Sequence, residues 1–194
     1  MINLVLYAFA WFLFGAIHSL LARHAVQQKL ERYLGRGYRL LYNLFAVVNI
    51  LVVLLFGKYL LSESRFAFLD HQIADIASFS IQALGFLVLV VALIKYDIGR
   101  FAGVTQLFTG EQLSSESNEP LQICGLNRWV RHPLYTGAFL MLWGGAINSF
   151  DLWTAIWGSV YLVIGTLFEE RKLVRIYGHE YRQYQQQVPR YFPF

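Results

Sequence analysis

Five long apolar runs constrain the fold of this chain more than any other feature of its sequence. They cover residues 1–22, 38–61, 76–94, 133–147 and 152–168, and the fourth is short for a perpendicular crossing. About 20 consecutive apolar residues cross the hydrocarbon core of a bilayer as a helix. Charged residues make up only 14% of the chain, whereas soluble domains average about 25%. The sequence therefore predicts an all-α integral membrane protein with about five transmembrane helices.

The distribution of basic side chains predicts the orientation of these helices. Residues 23–39, between the first two runs, hold five basic side chains and one acidic one. Residues 58–75, after the second run, hold two basic and three acidic ones. Because basic connections face the cytoplasm, we expect the N-terminus outside and, after five crossings, the C-terminus in the cytoplasm. The net charge of +4 favours contact with anionic membrane lipids.

Arg131 and His132 are candidates for function because they directly precede Pro133, which opens the fourth apolar run. Proline fits the first turn of a helix, so the pair is predicted at the mouth of a membrane helix. Tyr135, three residues beyond His132, is predicted on the same helical face. Taken alone, Arg131 fits equally well as an interfacial anchor whose charge reaches water.

Glu169 and Glu170 close the fifth apolar run. Because a short turn joins the fourth and fifth runs, we expect a helical hairpin that brings the glutamates beside the Arg-His pair. Taken alone, the two glutamates are also typical of a solvated helix end. The tail that follows, residues 169–194, is predicted to form a cytoplasmic amphipathic helix broken at Gly178.

The predicted polar cluster suits a small zwitterionic ligand. Arginine would pair with a carboxylate, glutamate with an ammonium, and aromatic faces would hold a sulfonium or an adenine ring. The sequence contains no zinc-ligand spacing, no Gly-rich phosphate loop and no basic nucleic-acid-binding block. We therefore expect neither a metal nor a nucleic acid as a partner. Tyr96, Asp97 and a polar loop at 110–120 are expected on the cytoplasmic side, the loop as a lid or binding loop.

Two further side chains are each open to two interpretations. His18 lies inside the first apolar run, and it is either a functional group or a neutral histidine bonded to a neighbouring helix. Cys124 is the only cysteine, so an intrachain disulfide is excluded. It is either a reactive thiol or a small loop residue.

The C-terminal half resembles the isoprenylcysteine carboxyl methyltransferase superfamily, which includes phospholipid methyltransferases, methanethiol S-methyltransferases and NnrU-type membrane proteins. The matching residues are Arg-His-Pro-Leu-Tyr-Thr-Gly at 131–137, Glu169-Glu170, Tyr-Gly-x-Glu-Tyr at 177–181 and Val188-Pro189. The resemblance covers about the last 100 residues. His-Ser-Leu-Leu at 18–21 is similar to the methanethiol and NnrU branch.

The resemblance implies a membrane-embedded methyltransferase of the bacterial inner membrane that uses S-adenosyl-L-methionine as its cofactor. We expect a single membrane domain, 1–194, in which an N-terminal half, 1–95, precedes a cofactor-binding half, 96–194, with its hairpin at 133–168 and its tail at 169–194. Arg131 and His132 would be catalytic, with Arg131 nearest the reacting centre. The implied cofactor-binding residues are His132, Pro133, Leu134, Tyr135, Gly137, Glu169, Glu170 and Tyr181.

The sequence leaves the methyl acceptor open. The first hypothesis is a small thiol or another lipid-soluble acceptor. The alternatives are a phospholipid or isoprenylcysteine acceptor, or a non-catalytic NnrU-like accessory protein. Asn127 stands where the family often has tyrosine, which modestly favours an accessory role. Gln187 stands where the carboxyl methyltransferases tend to be basic, which argues against a carboxylate acceptor.

Overall fold

The computed structural model describes residues 1–69, 71–94, 98–109, 121 and 123–193. Tyr96, Asp97 and the expected loop at 110–120 lie outside these residues. The described residues form nine α-helices: α1 (Ile2–Leu21), α2 (His24–Leu34), α3 (Tyr38–Leu60), α4 (Gln72–Leu93), α5 (Ile98–Ala102), α6 (Val104–Thr109), α7 (Pro133–Gly144), α8 (Ser149–Tyr177) and α9 (His179–Gln187).

The prediction of an all-α membrane protein is confirmed. Within the described part of the chain, four helical segments are long and apolar enough to span a bilayer: Ile2–Leu21, Ala25–Leu60, Gln72–Leu93 and Ser149–Tyr177. The fourth predicted span is the exception, because α7 has only 12 residues and extends about 18 Å at 1.5 Å per residue. Asn148 caps the start of α8 soon afterwards, because its side chain accepts a hydrogen bond from the Asp151 amide.

The structure differs from the sequence expectation in two connections. The basic connection at 23–39 is not a loop, because α2 occupies most of it. Gly35 caps the end of α2, and its φ of 55° favours glycine. The predicted fifth span, 152–168, and the first part of the predicted tail helix form one continuous helix, because α8 extends to Tyr177. The predicted break at Gly178 is confirmed, and its φ of 57° separates α8 from α9.

One compact unit comprises the described residues within Met1–Ser62 and Tyr96–Ser115. In this unit α1 packs on α3, and His18 hydrogen-bonds the Tyr42 hydroxyl through Nε2 at 2.8 Å. The interpretation of His18 as a histidine bonded to a neighbouring helix therefore agrees with the structure. Asn43 reaches the Ala102 carbonyl at the end of α5 over 3.0 Å.

The second compact unit comprises the described residues within Glu63–Lys95 and Glu116–Phe194. It contains α4 together with α7, α8 and α9, whereas the sequence analysis grouped α4 with the first two runs. The α4–α7 contact is the most extensive between any two helices of the described chain. A Cβ added at Gly85 of α4 would lie 2.8 Å from the Gly137 carbonyl oxygen of α7. Glycines therefore let these two backbones touch.

Candidate active site at the start of α7

The candidate site is built where the chain enters α7. Pro133 is the first residue of α7, so the helix begins with Arg131 and His132 fixed just before it. The Arg131 side chain is only 7% exposed and the His132 side chain only 6%. Charged and polar side chains buried to this extent need partners, and Glu170 of α8 supplies them.

The Glu170 carboxylate accepts hydrogen bonds from four side chains. Its Oε1 accepts from Arg131 Nε at 2.8 Å and from His132 Nε2 at 3.1 Å. Its Oε2 accepts from Gln185 Nε2 at 3.1 Å and from Arg190 Nη2 at 2.9 Å. A carboxylate has about four lone-pair sites, so these four donors use its full capacity. The expected meeting of Arg131, His132 and Glu170 is therefore present, although Glu170 is engaged within the protein.

The last part of the predicted tail is held against the start of α7 by backbone hydrogen bonds. It comprises residues 188–193 and is called the tail from here on. The Arg131 and His132 amides donate to the Pro189 and Arg190 carbonyls at 2.9 and 3.1 Å. The Thr136 hydroxyl donates to the Tyr191 carbonyl at 2.6 Å. The Arg131 guanidinium adds bonds to the Gln185 carbonyl at 3.0 Å and to the Val188 carbonyl. Arg131 thus acts as a clamp between α8, α9 and the tail.

Glu169 differs from its neighbour in exposure. Its side chain is 44% exposed, and its Oε2 lies 3.6 Å from His132 Nδ1, beyond hydrogen-bond distance. Only the other ring nitrogen of His132, Nε2, is bonded to Glu170. Because Glu170 can only accept, Nε2 carries the proton in the neutral ring, and Nδ1 keeps its lone pair on the side of Glu169.

Burial and charge set the protonation states around this cluster. Burial lowers the pKa of His132, and the opposing attraction of Glu169 and Glu170 does not cancel the effect. His132 is therefore neutral at pH 7. The hydrogen bond to Glu170 raises the pKa of Arg190, which stays charged. Burial raises the pKa of the Tyr181 phenol, which stays neutral.

Aromatic rings enclose His132 from two directions. The Tyr135 ring is parallel to the imidazole, with centroids 5.5 Å apart and planes at 9°. The Tyr191 ring lies at 6.2 Å, tilted by 52°. The sequence prediction that His132 and Tyr135 share a helical face therefore agrees with the geometry.

An open cleft of about 370 Å³ lies beside this cluster, which is within the usual size range of small-molecule sites. Its walls combine the Glu170 carboxylate with cationic, amide and apolar side chains of α8 and α9. The lining residues are Leu167, Glu170, Arg171, Val174, Arg175 and Gln185.

Three of the expected cofactor residues lie outside this polar cluster. Gly137 faces α4, where an added Cβ would meet Leu89 Cγ at 2.7 Å. Tyr181 is 2% exposed and packs with Tyr184 and Val188 in an apolar group. Leu134 is half-buried. Their contact with a cofactor stays a prediction.

Sequence reasoning missed Gln185, Arg190, Tyr191 and Thr136 as members of the site. Arg190 follows the quoted Val188-Pro189 pair directly, and its place next to that motif was the available signal. The contributions of Thr136 and of the tail carbonyls depend on long-range backbone contacts, for which the sequence carries no local signal.

Comparison with known proteins identifies the family. The family model described as "Phospholipid methyltransferase" matches residues 80–180, slightly more than half of the chain. The chain belongs to the phospholipid methyltransferase family. The matched segment spans most of α4 and all of α7 and α8, and it includes Arg131, His132 and Glu170.

Curated relatives of this family member are methyltransferases. "Methanethiol S-methyltransferase" of Crocosphaera subtropica is 26% identical over 184 residues, which is 94% of this chain and 71% of that protein. "Methanethiol S-methyltransferase 1" of Bradyrhizobium diazoefficiens is 26% identical over 100% of this chain and 66% of its own length. "Methanethiol S-methyltransferase" of Mycobacterium tuberculosis is 25% identical, over 100% and 78%.

The resemblance drawn from the sequence motifs is thereby confirmed. Family and relatives identify a membrane methyltransferase that acts on a small-molecule substrate. No solved structure matches the chain.

Proposed function

We propose that this protein transfers a methyl group from S-adenosylmethionine to a small thiol at the start of α7. The observation that carries the proposal is the pairing of the neutral, buried His132 with two carboxylates of unequal exposure beside an open cleft. The methanethiol S-methyltransferase names of the relatives support a thiol acceptor.

The side chains that line the cleft, together with Glu169 beside His132, fit the donor. Its amino-acid portion carries an ammonium, which suits Glu169, and a carboxylate, which suits Arg171 or Arg175 in the cleft wall. Leu167 and Val174 offer apolar surface for the adenosine portion. When bound, S-adenosylmethionine supplies an electrophilic methyl group on a sulfonium.

We assign the two adjacent glutamates different roles. Glu170 already accepts four hydrogen bonds within the protein, so it holds Arg131, His132 and the tail in place. Glu169 is more exposed, and its carboxylate is available to a cationic group of the donor. Arg131 hydrogen-bonds to α8, α9 and the tail, so we assign it a positioning role. Its contact with the reacting centre stays a prediction.

His132 is suited to remove the proton of a thiol. Its pKa is lowered by burial, so the ring is neutral and Nδ1 is ready to accept a proton at pH 7. Taking up that proton forms an imidazolium between Glu169 and Glu170, whose negative charges stabilise it. The remaining thiolate is the nucleophile.

A calorimetric titration of the detergent-solubilised protein with S-adenosylhomocysteine tests the donor site. We expect micromolar binding by the wild type. Glu169→Gln should weaken it at least tenfold while the melting temperature stays within about 2 °C. An assay of thioether formation from small thiols then tests the acceptor.

Three results would change the proposal. Wild-type affinity in Glu169→Gln would remove Glu169 from the donor site. Absence of binding by folded wild-type protein would make a non-catalytic accessory role the leading hypothesis. Donor binding with methylation of phospholipids or isoprenylcysteines, but not of thiols, would assign the acceptor to the lipid class.

A further inference from the structure

Tyr191 carries a buried polar atom beside the candidate site. Its hydroxyl oxygen is fully buried and has no hydrogen-bond partner in the described part of the chain. Buried hydroxyls are nearly always paired, and leaving one unpaired lowers the stability of the fold. Such an exception in a candidate site calls for an explanation from function.

The position of Tyr191 is fixed by the docked tail. Its carbonyl accepts a hydrogen bond from the Thr136 hydroxyl at 2.6 Å. The carbonyl of the preceding residue, Arg190, accepts a hydrogen bond from the His132 amide at 3.1 Å. The ring is therefore held beside His132, with centroids 6.2 Å apart.

A second aromatic ring contacts Tyr191, and a third contacts that ring. Phe139 of α7 meets it edge to face, with centroids 5.0 Å apart, and Phe192 lies 6.4 Å from Phe139. The hydroxyl is thus a single hydrogen-bond donor at the boundary between the polar cluster and an apolar aromatic group. This pattern fits a small apolar molecule with one hydrogen-bonding atom, and sulfur makes favourable contacts with aromatic rings.

We propose that the Tyr191 hydroxyl binds the sulfur of the methyl acceptor and donates a hydrogen bond to its thiolate. This inference rests on the proposed function and adds the residue that recognises the acceptor. The Tyr191 residue is only half-buried as a whole, so a shift of its ring opens a path for a small thiol. The hydrogen bond stabilises the charged sulfur next to His132, the group assigned to take its proton.

The substitution Tyr191→Phe tests this proposal, because it removes the hydroxyl and keeps the ring. Since the hydroxyl has no hydrogen-bond partner among the described residues, the melting temperature should stay equal or rise. The kcat/KM for a small thiol should fall about tenfold or more, as expected for a lost bond to a charged group. The pKa of the bound thiol, seen in the pH profile of kcat, should rise because the thiolate loses a donor.

Two matched variants separate a hydroxyl effect from a general tyrosine effect. Tyr184→Phe removes a hydroxyl that donates to the Asn127 carbonyl at 2.5 Å, so it should lower the melting temperature. Tyr59→Phe removes a hydroxyl from a residue that is 86% exposed on α3, so it should change neither stability nor activity.

The outcomes distinguish this inference from the proposed function. Wild-type kcat/KM in Tyr191→Phe, with an active wild type, would overturn the inference alone. Loss of S-adenosylhomocysteine binding in Tyr191→Phe would place the hydroxyl in the donor site and also overturn it. A wild type that binds no S-adenosylhomocysteine and methylates no thiol would overturn the proposed function itself.

Discussion

At the scale of single residues, the site is governed by the need to neutralise charge away from water. Arg131 and Glu170 are both less than a tenth exposed and lie 2.8 Å apart. Such a pair adds little net stability compared with apolar residues, yet removing one partner leaves the other charge uncompensated. The identity of Glu170 is therefore a structural requirement, independent of any ligand.

We expect Glu170→Gln to destabilise the fold strongly. The amide keeps the size of the side chain but removes the charge that balances Arg131, which costs about 3–5 kcal/mol for a buried pair. Denaturant or SDS titration in micelles measures this loss. Glu169→Gln is the matched control, and its exposed side chain should change the unfolding free energy by at most about 0.5 kcal/mol. Equal stability of the two variants would contradict the structural role assigned to Glu170.

The stability of the site should decrease in mild acid because of His132. Burial lowers the pKa of His132 from its ordinary value of 6.5, so the unfolded chain binds this proton at a higher pH than the folded chain does. Its contribution is fully present above about pH 6.5 and is lost as the pH falls towards the folded-state pKa. His132→Asn should flatten the acid side of the stability profile, whereas His179→Asn, at an exposed position, should leave it unchanged.

At the scale of elements, the packing of α4 against α7 positions the site. Gly85, Gly137 and Gly144 lie along this contact, and each would place an added Cβ within 3.0 Å of the facing helix. Small residues permit such close approach between membrane helices. This contact gives a structural reason for glycine at position 137, which the family resemblance had linked to the cofactor.

We expect Gly85→Ala to destabilise the contact between α4 and α7. Its Cβ would lie 2.8 Å from the Gly137 carbonyl and the Met141 amide, and backbone atoms cannot move aside as a flexible side chain can. Overpacking of this kind costs about 1–3 kcal/mol. The control is Gly165→Ala in α8, where an added Cβ meets nothing within 4 Å and the stability should stay equal or rise. Thermal unfolding of both variants checks the prediction.

At the scale of the whole molecule, the structure gives the lengths of the candidate membrane-spanning helices, and the charge distribution predicts their orientation. Four helical segments have the length and composition to cross a bilayer, and the direction of crossing is a prediction from the basic residues at 23–39. The single cysteine of the chain provides a test of that direction.

Cys124 should be labelled by a membrane-impermeant maleimide from the cytoplasmic side. Cys124 is half-buried and lies between α6 and α7, a connection that the positive-inside rule places in the cytoplasm. We expect modification in inverted membrane vesicles and protection in intact cells. The reverse pattern is expected for Ser64→Cys in a Cys124→Ser background, because residue 64 lies in the connection predicted outside. Labelling of both positions from the same side would refute the orientation.

The sequence alone determined the fold class and the two halves of the polar cluster. Long apolar runs specify membrane helices because the bilayer leaves no other way to satisfy backbone polar groups. Pro133 identified the start of α7, and the Arg-His and Glu-Glu pairs were found because ionisable groups beside apolar runs are rare. These signals are local, so they can be read without the fold.

Only the tertiary structure distinguished the surroundings of Glu169 from those of Glu170. Arg131 and Glu170 are separated by 39 positions, and the two glutamates look alike in sequence. Their difference arises because α9 and the tail bring Gln185 and Arg190 to Glu170 and leave Glu169 more exposed. The Tyr191 hydroxyl, which is buried without a partner among the described residues, likewise reflects the position of the folded tail. Such hydrogen-bond saturation depends on contacts between distant segments, and no local pattern encodes it.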